Sequence, residues 1–261
     1  MNDLKQKLES IYLQYNNKKF VNPDPLLFLY NYPEKKNREI AGLIAASFAY
    51  GRVDMIIKTV KKILDKLVPC PFDYLMTITK QDLIKDFKGF KYRFAREEHL
   101  VNLLWGMKQV INHFSSLENC FSSQYSLSHE TIMPCLIFLY ENISKNGDTG
   151  HLLADPKKKS PCKRSNLFLR WMVRKDSVDP GGWNKINASQ LIIPLDTHMY
   201  KIGKLLKFTK RKSKDIKTAL EITKGFKQIS PLDPVKYDFC LTRFGIRQDL
   251  TMEELNKKVT K

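Results

Sequence analysis

The chain has little acid for the base it carries: 27 Asp and Glu stand against 45 Lys and Arg, a formal net charge of +18. It lacks any paired cysteine spacing as well. Its five cysteines, at 70, 120, 135, 162 and 240, are odd in number and form no CxxC. That argues against a disulfide framework and against a zinc or iron–sulfur site. The five histidines are scattered, with no HxxxH pair, so neither a metal nor any other cofactor is expected. No basic-plus-apolar leader is visible at the N-terminus. The longest apolar run, around Leu43 to Tyr50, is far too short to span a bilayer. A cytoplasmic monomer is the expectation. Strand-like alternation of polar and apolar residues is almost absent.

What is present is helix pattern and positive charge. A hydrophobic content of 43% over 261 residues supports a substantial core in one or two packed lobes. Ile40, Leu43, Ile44 and Phe48 share one helical face, and Val53, Ile56, Ile57, Val60, Ile63, Leu64 and Leu67 repeat the pattern. Leu100 to Phe114 marks another long helix. Ile132 to Ile143 marks a further one, with Pro134 in its first turn. The spacing predicts an all-α fold of roughly ten to twelve helices. Ser213 is placed to cap the helix after it, Asp233-Pro234 to open another, and Asp196 or Thr197 to start a third. The terminal KKVTK is expected to fray. The turn cluster Asn146–Gly150 divides the chain, either into two lobes meeting at a cleft near residues 146–163 or within one undivided unit covering 1–261. A field this positive attracts polyanions, of which nucleic acid is the commonest soluble one, although an A/T-biased genome also yields a Lys- and Asn-rich chain.

Two segments concentrate the chemistry. Lys157 to Lys175 holds eight basic residues and no acid. Within it, Lys163 sits among Lys157, Lys158, Lys159 and Arg164 at the apparent start of a helix. Neighbouring cations and the positive helix end both oppose an ammonium there, as an amine nucleophile requires. The plainer alternative is a solvated lysine touching phosphate or nothing. The second segment places Asp196 where the apolar run Leu191–Leu195 meets a new helix. A carboxylate there can stabilise a cationic sugar transition state or move a proton, and it can equally be an N-cap; the two roles are compatible. Arg52, Arg170, His198, Lys201, Lys204, Lys210 and Arg211 join Lys157–Lys159 and Arg164 as candidates for nucleic-acid contact, with a solvated helix face as the alternative. Tyr50, Trp183 and Tyr200 are candidates to stack on an extruded base, whereas Trp171 reads as core. Gly51 allows a tight turn after Tyr50, from which Arg52 can reach a phosphate or fill the gap left by a flipped base.

The run from Pro194 to Leu206, PLDTHMYKIGKLL, resembles the VDTHVxRVxxRLG signature of the helix-hairpin-helix DNA glycosylases. In that superfamily the Asp is catalytic, and bifunctional members carry a Lys upstream. Glu39 to Arg52 is similar to the buried helix and turn that support base extrusion there. The glycine-rich hairpin LPGVGxxTA is replaced here by Asp155 to Lys163, and the four-cysteine iron–sulfur loop of some members is missing. Lys163 and Asp196 lie 33 positions apart, a wide spacing closest to that of the archaeal 8-oxoguanine glycosylases. The resemblance implies a two-lobed helical bundle with a degenerate hairpin. It implies excision of a damaged base from duplex DNA, an oxidised purine for example, with Lys163 as nucleophile and Asp196 as its partner, or else a non-catalytic DNA- or RNA-binding module on the same scaffold. Nearly the whole chain also resembles an uncharacterised bacterial family through its NLFLRWMVR, PLDTH and DPVKYDF blocks.

Overall fold

The computed structural model describes residues 2–260. Thirteen α-helices follow one another: α1 (Asn2–Tyr15), α2 (Lys35–Ser47), α3 (Val53–Leu64), α4 (Pro71–Thr77), α5 (Lys80–Asp86), α6 (Glu97–Phe114), α7 (Leu117–Ser122), α8 (Met133–Ser144), α9 (Lys163–Val173), α10 (Thr197–Leu205), α11 (Ile216–Ile229), α12 (Asp238–Ile246) and α13 (Met252–Thr260). Short 3-10 turns, such as Pro25–Asn31, join some of them. Among the described residues the only sheet is one hairpin, β1 (Lys91–Tyr92) against β2 (Ala95–Arg96), with Tyr92 opposite Ala95. The chain is therefore predominantly helical, as the periodicity predicts, and among the described residues no helix is long and apolar enough to cross a membrane.

Two helices make the centre. Every residue of α2 from Glu39 to Ser47 is buried, and Ala41, Gly42, Ala45 and Ala46 are small enough for neighbours to approach from all sides. A helix apolar all round belongs in a core. Helix α9 packs on it and is buried from Ser165 to Met172. Outer helices are amphipathic instead. In α3, Ile56, Val60, Ile63 and Leu64 face in, while Lys61 and Lys62 lie in solvent. The α8 helix starts at Met133 with Pro134 in its first turn, where a missing N–H costs nothing.

Three boundary expectations need correction. Asp215, not Ser213, caps α11: its side chain accepts from Thr218 N, and Ser213 donates its hydroxyl to that carboxylate instead. Asp233-Pro234 opens a turn only, because the carboxylate of Asp233 is drawn to Arg174 and α12 starts at Asp238. The C-terminal residues form α13 rather than fraying, since Leu255 and Val259 are buried; Lys261 lies outside the described residues.

A buried ion network ties the central helix to the loop after it and to α12. Arg170, 2% exposed, donates Nε to Asp179 Oδ1 at 3.2 Å and Nη1 to Asp238 Oδ2. One turn on, Arg174 pairs with Asp179, with Asp233 at 2.8 Å and with Asp176 at 2.8 Å. Asp179 has no exposed surface and faces both guanidinium groups. Removing one member of such a set strands the others in a medium that solvates them poorly. Asp179→Ala is therefore expected to lower the unfolding free energy by about 3–5 kcal/mol, read as a shift in the urea midpoint at unchanged slope.

Candidate active site

Two helix starts and one helix flank meet around a cleft of about 730 Å³. That volume lies within the range of small-molecule and nucleotide sites, roughly 300–1,000 Å³. The chain enters α9 through Cys162, which holds a left-handed backbone (φ +46°) and delivers Lys163 as the first helical residue. Lys163 is half-buried and lines the cleft. Its Nζ donates to the carbonyl of Ala49, just past the end of α2, at 3.3 Å. No carboxylate pairs with it among the described residues.

Asp196 lines the same cleft. As the N-cap of α10 its Oδ1 accepts from His198 N and Met199 N, both at 2.8 Å. Capping consumes one oxygen and locks the rotamer, while Oδ2 has no protein partner among the described residues. The buried approach Leu191–Leu195 fixes where the carboxylate emerges. Gly245 on α12 lets the two helices close: a Cβ there would fall 2.1 Å from His198 Nδ1. Both lysine and carboxylate thus sit at helix N-termini.

The cleft's far wall is the turn after α2. Gly51 adopts φ +96°, open to glycine, and turns the chain so that Tyr50 lines the cleft. Tyr50 is half-buried, edge-on to His151 at 4.8 Å, with the Arg164 guanidinium 4.8 Å from its ring centre. Burial, and then the charges of Arg164 and Arg93, hold the His151 imidazole below its ordinary value. The cleft holds five cationic side chains, Lys163, Arg164, Arg170, Lys214 and Arg243, against the carboxylates of Asp24, Asp196 and Asp238.

The basic blocks come together at one rim. Lys157, Lys158 and Lys159 are exposed on the loop before α9, and the carbonyl of Lys159 accepts from Ile216 N at the start of α11. This docks the first block beside Lys214 and Lys217 of the second. Lys201, Lys204 and Lys210 are exposed. Lys204 donates to the carbonyl of Lys210 at 3.1 Å, Lys157 pairs with Glu141, and exposed Arg52 pairs with Asp54 at 2.9 Å.

Several candidates stand elsewhere than expected. Arg170 is sealed in the ion network and offers nothing to a surface phosphate. Trp183 is 3% exposed, donates Nε1 to the buried carboxylate of Glu39 at 3.0 Å and packs on Phe168, so it cannot stack on a base. Arg164 spends its donors on the carbonyls of Ser47 and His151. Arg211 is held by Asp215 at 2.8 Å and by the Thr218 hydroxyl. Tyr200 stands behind Lys214, its hydroxyl on the carbonyl of Arg211 at 2.9 Å, and does not line the cleft. His198 does line it.

Residues that spacing did not single out complete the site. Asp238, Arg243 and His151 line the cleft, and the hairpin tip presents Phe94, 65% exposed, against His151 at 5.4 Å. Asp238 lay within the DPVKYDF block, but nothing local marks a buried carboxylate as facing a cavity.

A family model described as "Protein of unknown function (DUF2400)" matches residues 24–247. That span contains Lys163, Asp196, Asp238 and Arg243. No curated protein and no solved structure matches the chain. Among the described residues, no group of three or more His, Cys, Asp or Glu is placed to hold a metal ion.

Burial pushes the Asp238 carboxyl up from 3.8 to about 6; the Arg170 guanidinium opposes this, and the charges of Asp196 and Asp179 add to it. A group that holds its proton more tightly when folded stabilises the fold below its unfolded value, and loses that contribution as pH rises through the folded one. Relative to Asp238→Asn, the wild-type chain should therefore lose stability between about pH 4 and 6. Urea unfolding of both proteins across this window checks it, and a constant difference would contradict the raised carboxyl.

Proposed function

The chain belongs to the DUF2400 family, and from its cleft we propose that it is a DNA glycosylase with lyase activity. It would excise a damaged base from duplex DNA on a two-lobed scaffold of helix-hairpin-helix type with a degenerate hairpin. One observation carries the reading: the amine of Lys163 and the carboxylate of Asp196 face a single cleft of about 730 Å³, each set by the first turn of its own helix. Exposed lysines from both basic blocks flank it and supply phosphate contacts.

The chemistry follows from these groups. Extruding a nucleotide costs a few kcal/mol of unstacking, which a cleft with cationic walls offsets. As the bond from C1′ to the base breaks, the base leaves with the electron pair and takes a proton from solvent water. Positive charge then develops on the sugar, and the free Oδ2 of Asp196 stabilises it. The Lys163 amine bonds to C1′ and gives up a proton, for which Asp196 is the available acceptor. Opening of the sugar ring yields an imine between C1′ and Nζ. Loss of a C2′ proton then expels the 3′ phosphate by β-elimination, and water releases the lysine.

Borohydride supplies hydride to that imine and freezes it as a secondary amine. Incubation with lesion-bearing duplexes, oxidised purines included, should yield a covalent protein–DNA adduct that disappears in Lys163→Ala. Asp196→Asn should reduce excision by at least a hundredfold, the usual scale for an electrostatic group of this kind, with duplex affinity nearly unchanged. Salt-sensitive binding without any adduct or released base across the panel would replace the enzyme by a binding module.

A further inference from the structure

A second groove, of about 310 Å³, lies between α3 and the loop that joins α5 to β1. It shares no residue with the cleft of Lys163 and Asp196. Lys58 and Lys62, one turn apart on α3, form one wall, and Lys66 just past the helix continues it. Lys88 and Lys91 stand on the other wall, and all five lysines are exposed. None of them pairs with a carboxylate among the described residues, whereas Lys61 on the same helix is held by Asp65 at 2.7 Å. Asp86 is the one acid lining the groove, and its carboxylate accepts from the Tyr74 hydroxyl at 2.5 Å. Lys66 reaches only the backbone carbonyl of Asp86. Like charges one turn apart weaken a helix, so folding alone gives no reason to gather unpaired lysines around one hollow. The hollow itself is apolar. Ile63 and Phe87 close its base, 1% and 3% exposed, and Met55, 46% exposed, stands open at its edge beside half-buried Phe90.

Charge and floor together select the occupant. It must bring negative charge to both walls and an apolar group to the middle. Single-stranded nucleic acid holds such grooves by stacking bases on open aromatic faces. Here Phe87 is covered, and Phe90 is fixed edge to face against buried Phe48 at 5.8 Å. A thioether above covered hydrocarbon suits an apolar side chain instead, and methionine adapts to many such anchors. A second copy of this chain carries the same +18 and is repelled. We propose that this groove docks an acidic segment of another protein, with one apolar side chain seated on Met55 and Phe90 and carboxylates on either side meeting Lys58, Lys62, Lys88 and Lys91. The lysines supply steering and orientation, and the seated side chain supplies the anchor. This goes beyond the excision reading and does not rest on it.

The probe is a fluorescein-labelled peptide with Leu-Phe set between two Asp-Glu-Asp triplets, titrated with the full chain and followed by fluorescence anisotropy. It should bind. A peptide with Ser-Ser in place of Leu-Phe keeps the charge, loses the anchor and should bind about tenfold more weakly or worse. The double variant Lys58→Glu/Lys62→Glu should weaken the Leu-Phe peptide by about tenfold or more. Lys224→Glu/Lys257→Glu makes the same change of charge on exposed lysines of α11 and α13 and should leave its affinity within about twofold. Met55→Ser, at an exposed position, should weaken the Leu-Phe peptide and leave the Ser-Ser peptide unchanged. No binding, equal binding of the two peptides, equal losses in the two double variants, or a Met55→Ser variant that treats both peptides alike would overturn the proposal. So would a thymidine oligonucleotide that binds more tightly than the peptide and loses more affinity in Lys58→Glu/Lys62→Glu than in the control, since it assigns the groove to nucleic acid. None of these readings uses lesion-bearing DNA, so they stand or fall apart from the borohydride adduct.

Discussion

Arg170 on α9 and Arg174, the residue that ends it, hold the site together from behind. Their carboxylate partners come from three places: the loop at Asp176 and Asp179, the turn at Asp233 and the first turn of α12 at Asp238. Buried charges tolerate little displacement, because each lost contact leaves a poorly solvated ion. The register of α9 against α12 is therefore fixed. With it are fixed Lys163 at the start of one helix and the floor of the cleft on the other. A hydrophobic contact of equal strength would hold the helices together but would not specify register so tightly.

This arrangement shares one residue between structure and chemistry. Asp238 lines the cleft and gives one oxygen to Arg170, while its other oxygen is buried without a hydrogen-bond partner among the described residues. Asp196 divides its labour likewise, with Oδ1 on the first backbone N–H groups of α10 and Oδ2 unspent. In Asp196 the bond to the protein sets the rotamer, so the free oxygen is placed before any ligand arrives. Such preorganisation lets a weak electrostatic group act strongly, since nothing reorganises during reaction.

The cleft also explains how so basic a chain folds. Most lysines stay in solvent on outer helices, where their stems cover apolar surface and their heads remain hydrated. Guanidinium groups are the cations taken inside, at Arg164, Arg170, Arg174 and Arg243, each meeting carboxylates or backbone carbonyls. A planar fork of donors suits such places better than an ammonium.

Much of the frame was legible along the chain. Apolar periodicity placed α3, α6 and α8 nearly to their ends, and the Asp196 cap was readable because an N-cap depends on residues within one turn. Lys163 at a helix start was legible for the same local reason. Trp183 and Arg170 show where locality stops. A tryptophan in a polar loop and an arginine on a basic helix looked available, but partners 144 and 68 positions away, Glu39 and Asp238, had claimed them. The sequence by itself determined the helical class, the longer helices, the Asp196 cap and the excess of positive charge, since these depend on near neighbours and on composition. Only the tertiary structure decided which cations are buried, and that Lys163 and Asp196 share a cavity with Arg243 and Asp238. Those facts depend on the packing of α9, α10 and α12, and no local pattern encodes which faces meet.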